Sequence, residues 1–243
     1  MTIWGKIIGS ATGFAFGGPI GALLGGAAGH ALDKFKAKQK LPEDLALKQI
    51  GFTIGVIVLS AKMAKADGNV TKSEIKAFKE KIKIPDNEIK NVARLWDQAK
   101  KTTNGFEVYA KQISNLLKKK SPVLEELLNL LVVIAEADGK ITRLEKIYLK
   151  EVSIIFGFSD QDFERIYSSK LNKIIDPYQT LGVSKDSSLE EIKNKWKTLA
   201  KKYHPDRLIA QGIPQDIIES STYRLKEINH AWDLIKKKYD LNA

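Results

Sequence analysis

The sequence predicts an all-α fold in three parts: an N-terminal glycine-zipper membrane helix, a central helical domain and a C-terminal helical hairpin. Three observations predict it. Glycine recurs every fourth residue near the start; an Ala-x-Ala-Asp-Gly turn occurs twice in the middle, each time between an apolar and an amphipathic helix; and a basic helix near the end runs into a His-Pro-Asp corner. The expected boundaries are 1–33 for the anchor, 34–44 for a basic linker, 45–170 for the central domain, 171–175 for a second linker and 176–243 for the hairpin domain.

Composition narrows the chemistry. A chain of 243 residues has room for one or two domains with proper cores. It contains no cysteine, which excludes a disulfide framework and thiolate zinc sites and fits a reducing compartment. The net charge of +11 suggests an anionic partner: nucleic acid, anionic lipid or an acidic protein surface. The lysines are dispersed among acidic residues, and no zinc finger, RNP motif or basic arm is present, so nucleic acid is not expected.

From Ile7 to Gly29 no side chain is charged, and these 23 residues are long enough to cross a bilayer as one helix. Gly5, Gly9, Gly13, Gly17, Gly21, Gly25 and Gly29 form an unbroken GxxxG series, a side-chain-free ridge along which two helices can approach. Self-association into a homodimer through Gly9, Gly13, Gly17, Gly21 and Gly25 is the expectation. In water each such glycine costs a helix on the order of 1 kcal/mol relative to alanine; in lipid, unmet backbone groups cost more. Trp4 suits an interfacial position, and Lys34, Lys36, Lys38 and Lys40 outnumber Lys6, so the C-terminal side is read as cytoplasmic. A re-entrant hairpin bent at Gly17-Gly18-Pro19 stays open beside the single span, as does a soluble tail. A cleaved signal peptide fits less well, because the glycines make a poor apolar region.

The middle is helical by period, with Pro42, Pro85 and Pro122 each just ahead of a helix. Ala64–Thr71 and Ala135–Thr142 match at a separation of 71 residues, which implies two helix-turn-helix units. In each, glycine ends the first helix in a left-handed conformation and a Thr-x-x-Glu box, Thr71 with Glu74 and Thr142 with Glu145, starts the next. Asp67, Asn69 and Thr71 are spaced like the start of a calcium loop, but the distal glutamate is missing and Lys140 replaces a ligand in the second copy. No metal is expected. Ser159 with Asp162 caps a further helix after Gly157.

In the last part, Ile192, Trp196, Leu199 and Tyr203 share one helix face, which must be buried, while Lys193, Lys197 and Lys201 line a neighbouring face. Lys195 and Lys202 read as merely solvated. Pro205 stops the helix, which places Asp206 on a loop extended from Leu208 to Pro214. Leu225, Ile228, Trp232 and Ile235 mark a second helix, packing antiparallel to the first, with His230 beside its seam as a structural residue. Lys236–Asp240 reads as a short, reduced final helix.

Pro177-Tyr178-Gln179-Thr180-Leu181-Gly182-Val183, His204-Pro205-Asp206 and Lys226–Trp232 together resemble a DnaJ-type J domain. The resemblance implies a DnaK-type ATPase chaperone as partner, with His204, Pro205 and Asp206 as the trigger for ATP hydrolysis and Lys193, Lys197 and Lys201 as the basic face that meets it. The paired Ala-x-Ala-Asp-Gly turns resemble the TerB family, a compact all-α domain associated with tellurite resistance. The Trp4-Gly5-Lys6-Ile7-Ile8-Gly9 opening and Gly29-His30 with Asp33-Lys34 resemble the DjlA family of membrane-anchored bacterial J proteins, with His30 interfacial. The combination implies a co-chaperone at the cytoplasmic face of the inner membrane that is not itself an enzyme and uses no cofactor. No nucleotide loop, triad or metal-ligand cluster argues otherwise. The alternative is a TerB-like envelope or stress scaffold whose J fold docks a partner without activating it.

Overall fold

The computed structural model describes residues 18–25, 43–66, 72–82, 84, 86–101, 105–170, 176–218 and 222–240. Those residues form helices α1 (Gly18–Gly25), α2 (Glu43–Ala66), α3 (Lys72–Ile82), α4 (Ile89–Lys101), α5 (Phe106–Leu117), α6 (Pro122–Ala135), α7 (Arg143–Ile155), α8 (Asp160–Lys170), α9 (Pro177–Leu181), α10 (Leu189–Lys202), α11 (Pro205–Gln211), α12 (Gln215–Ile218) and α13 (Tyr223–Asp240), with 3-10 turns at Asp86–Glu88 and Glu136–Asp138. No strand occurs among the described residues. The fold is all-α.

The bundle is built around α2. Every residue from Gln49 to Ala64 is buried, because α4, α5, α6 and α7 surround the helix. Asp44–Ala64 is apolar and long enough to cross a membrane, yet its window is 78% buried inside the fold; an all-round apolar helix is what the centre of a bundle demands. Gly55 makes the packing possible. A Cβ there would sit 3.1 Å from Ile113 Cδ1 and 3.3 Å from Leu127 Cδ2, so α5 and α6 close on bare backbone.

The second turn of the repeat forms as its residues dictate. Gly139 is left-handed at φ 87°, Thr142 Oγ1 accepts from the Glu145 amide at 3.2 Å, and Glu145 accepts from the Thr142 amide at 2.7 Å. The first turn, with Asp67, Gly68, Asn69 and Thr71, lies outside the described residues. Ser159 and Asp162 cap α8 in the same reciprocal way after the left-handed Gly157. Tyr148 ties α7 to α2 by donating to the Leu59 carbonyl at 2.8 Å.

Gly21 and Gly25 fall in α1, whereas Gly9, Gly13, Gly17 and His30 lie outside the described residues. The apolar α1 lies against α4 and α5, with Ile20 fully buried and its amide donating to Gln112 Oε1 at 3.0 Å. Part of the segment read as anchor therefore finds cover on the central bundle.

In the hairpin, α10 and α13 pack antiparallel with α9 across them. Tyr178, Leu181, Ile192, Tyr203, Ile228, Ala231, Trp232 and Ile235 are its buried apolar residues. Trp196 stacks on Trp232 at 5.1 Å between ring centroids and donates its indole N–H to Asn229 Oδ1 at 2.9 Å. Ser188 and Glu191 form the capping box that starts α10.

Four expectations need correction. Proline does end α10 before it, but Pro205 also opens α11 as its first residue, where a missing N–H is harmless, so Asp206 sits in a helical first turn and not on a loop. The stretch from Leu208 to Pro214 is largely α11 and its glycine end, not an extended loop. Lys236–Asp240 continues α13 without a break, because nothing in the sequence there stops a helix. His230 is exposed on α13 and is not part of the packed seam.

Candidate functional site

The site begins where α10 ends. Tyr203 closes the helix, its amide donating to the Leu199 carbonyl at 3.0 Å, and His204 is the N-cap of α11. His204 Nδ1 accepts from the Asp206 amide at 3.3 Å, which leaves the neutral ring's proton on Nε2. The amides of Arg207 and Leu208 donate to the His204 carbonyl at 3.0 and 3.1 Å, so the corner is a closed, hydrogen-bonded turn. The His204 side chain is 54% exposed and that of Asp206 is 86% exposed. Their groups separate to 3.6 Å, available as an ion pair only when the histidine is protonated.

Lys193, Lys197 and Lys201 are all exposed on α10, one turn apart, leading to this corner. The structure thus brings the two sets of predicted residues onto one contiguous surface: a row of cations followed by an imidazole N–H and a carboxylate. Such a surface offers long-range attraction to an acidic partner and a short, rigid polar tip for close recognition. Lys195 and Lys202 are exposed as expected, and both edge a cleft of about 880 Å³ between hairpin and bundle.

The rear of the same segment is buried, and sequence reasoning missed what buries it. Glu125, only 4% exposed at the start of α6, accepts from Arg165 Nη2 at 2.7 Å and from the Tyr203 hydroxyl, and lies 3.4 Å from Arg224 Nε. Arg224 also donates to the Thr180 carbonyl at 2.7 Å, and its amide donates to Glu126 Oε1 at 3.1 Å. One carboxylate therefore joins α6, α8, α10 and α13. Burial pushes the Tyr203 phenol far above its ordinary value, and the Glu125 charge and hydrogen bond push it further. Burial alone would lower Arg165, but the Glu125 carboxylate overrides it and holds the guanidinium above its usual value. The signal in the sequence is Glu125-Glu126 inside a largely apolar helix; an acidic residue in a first turn complements the helix dipole, which accounts for Glu125 locally and announces no distant partner.

Among the described residues no group of histidine, aspartate and glutamate could hold a metal ion. The calcium-like residues Asp67, Asn69 and Thr71 lie outside them.

Residues 1–42 match the co-chaperone DjlA transmembrane domain, residues 53–168 the tellurite resistance protein TerB, and residues 176–240 the DnaJ domain. The chain is thus a membrane-anchored J-domain protein with a TerB-like middle. Along its whole length it is DjlA-like. It is 25% identical over 276 aligned positions to the co-chaperone protein DjlA of Photobacterium profundum, covering 97% of this chain and 99% of the relative. The proteins of the same name from Coxiella burnetii and Vibrio cholerae are 24% and 26% identical, with 96% and 98% of this chain covered and 97% and 99% of theirs. No solved structure matches the chain.

Proposed function

We propose that this protein is a co-chaperone that stimulates ATP hydrolysis by a DnaK-type chaperone at the cytoplasmic face of the inner membrane. The observation that carries the reading is the exposed His204–Asp206 corner, set in a J fold at the end of the Lys193, Lys197 and Lys201 row. The chemistry belongs to the partner: the lysines draw in an acidic surface of the ATPase, and the His204 N–H and Asp206 carboxylate engage it where hydrolysis is triggered. The relatives' name, co-chaperone, agrees with this role. The excess of lysine after residue 33 supports a single-pass anchor with the bulk of the chain in the cytoplasm, where ATP is. Nucleic acid is not part of this reading.

Single-turnover ATP hydrolysis by the cognate chaperone, with the full chain in detergent, tests it. Wild type accelerates hydrolysis, and His204→Gln abolishes the acceleration without loss of helicity, because the side chain lies outside the core. A folded wild type that leaves the rate unchanged would favour the docking scaffold. For the anchor, Gly9→Leu with Gly13→Leu and Gly17→Leu, all before α1, should reduce crosslinked homodimers in membranes; undiminished dimers would refute association through Gly9, Gly13, Gly17, Gly21 and Gly25.

A further inference from the structure

We propose that the central bundle is the seat that shapes the trigger: Glu125 on one side, and the α2–α5 surface beneath Gly212 on the other, hold the two ends of the His204–Asp206 segment so that its polar groups face outward in a fixed arrangement. The proposal rests on the co-chaperone reading and adds positioning residues to it.

The segment is pinned immediately before and after its exposed residues. Tyr203, 4% exposed, places its hydroxyl on Glu125, and Leu208, fully buried, packs in the bundle's core and not in the hairpin's. Ile213 and Ile217, also fully buried, join that same core. Between them the backbone itself touches the bundle. Gly212 has φ 122°, and a Cβ there would stand 2.6 Å from Lys48 Cβ and 3.5 Å from Leu117 Cδ2, so only glycine fits both the turn and the approach. Arg224 completes the seat by tying the start of α13 to Glu125 and Glu126 on α6.

The geometry decides between positioning and blockade. His204, Asp206 and the three lysines are exposed while the hairpin is docked, so the bundle covers the rear of the trigger and leaves its working face free. A group held from behind loses little freedom when it binds, which favours the activated arrangement of the partner.

Two substitutions release the seat at different ends, Gly212→Val and Tyr203→Phe, and neither alters an exposed trigger residue. Hydrogen exchange of peptides spanning residues 203–213, in the full chain, reports release directly; exchange is expected to accelerate, more in Gly212→Val. In the same samples the ATPase rate is measured against co-chaperone concentration. With the trigger misplaced, maximal stimulation by Gly212→Val should fall on the order of tenfold, with the half-saturating concentration changed far less, since the lysine row is intact. Tyr203→Phe should fall in the same direction by a smaller factor. Release without loss of maximal stimulation, or with a gain, overturns the proposal; so does unchanged exchange in both variants. If Gly212→Val fails to fold, Tyr203→Phe alone decides by the same two readouts. Failure of the underlying reading looks different: wild type and His204→Gln would then be equally inactive while exchange in the released variants still rises.

Discussion

The hairpin and the bundle solve the same problem, burying one face of each helix, with unequal means. The bundle wraps α4, α5, α6 and α7 around a helix buried on every side from Gln49 to Ala64. The hairpin has one small core between α10 and α13, with α9 across them and the Trp196–Trp232 stack midway along the two long helices. A unit of that size removes a smaller share of its surface from water and is correspondingly marginal. The difference shows in where residues 208–217 go: Leu208, Ile213 and Ile217 belong to the bundle's core although they follow the trigger in sequence. The hairpin has its own aromatic seam, and its trigger end leans on its neighbour.

This asymmetry is breakable from either side. Trp232→Ala, at a residue 9% exposed in the seam, should cost the hairpin about 3–5 kcal/mol. The bundle, which does not use Trp232, should keep its own transition, so urea unfolding would separate into two steps by far-ultraviolet dichroism and tryptophan emission. Leu128→Ala, fully buried in α6, should cost about 2–5 kcal/mol. Here the two regions should weaken together, because α6 also carries Glu125 and Glu126. A hairpin transition that stays at its wild-type midpoint in Leu128→Ala would mean that the regions are energetically independent.

Most of the architecture could be read from local rules, since the sequence states them locally. The Thr142–Glu145 and Ser159–Asp162 boxes, the left-handed Gly139 and Gly157, and the apolar faces of α10 and α13 each depend on residues within a few positions of one another. What escaped depends on distance in sequence. Glu125 meets Arg165, Tyr203 and Arg224 across separations of 40, 78 and 99 residues, and no period or spacing announces such a meeting. Gly55 and Gly212 were silent for the same reason: their function is to let another element approach. The reading of Asp206 as a loop residue failed for a different cause. Pro205 is both the stop of one helix and the start of the next, and His204 caps that second helix, so two opposite local rules meet at one corner.

The smallest expected effect isolates one bond of the contact between the two regions. Tyr203 has its phenol pushed above the ordinary value of 10.0, first by burial and then by the Glu125 carboxylate that accepts its hydrogen bond. A folded value above the unfolded one means that the folded chain holds the proton more tightly. The associated stabilisation is complete below about pH 10 and is lost as pH rises beyond it, because the unfolded phenol ionises first. Tyr223, pushed up to about 12 by burial and then by Glu126, and the buried Tyr148 contribute to the same alkaline slope, so wild type alone cannot apportion it. Tyr203→Phe removes one titrating group and leaves Glu125 its two arginines. At neutral pH the loss should be about 1 kcal/mol, the ordinary value of a hydrogen bond. Above pH 10 the variant's stability should fall less steeply than wild type's, by up to about 1.4 kcal/mol per pH unit, the limit for one proton. Urea unfolding at pH 9, 10 and 11 measures both slopes. Parallel slopes would mean that the Tyr203 hydroxyl is not held between hairpin and bundle, and the trigger's seat would then rest on Leu208 and Gly212 alone.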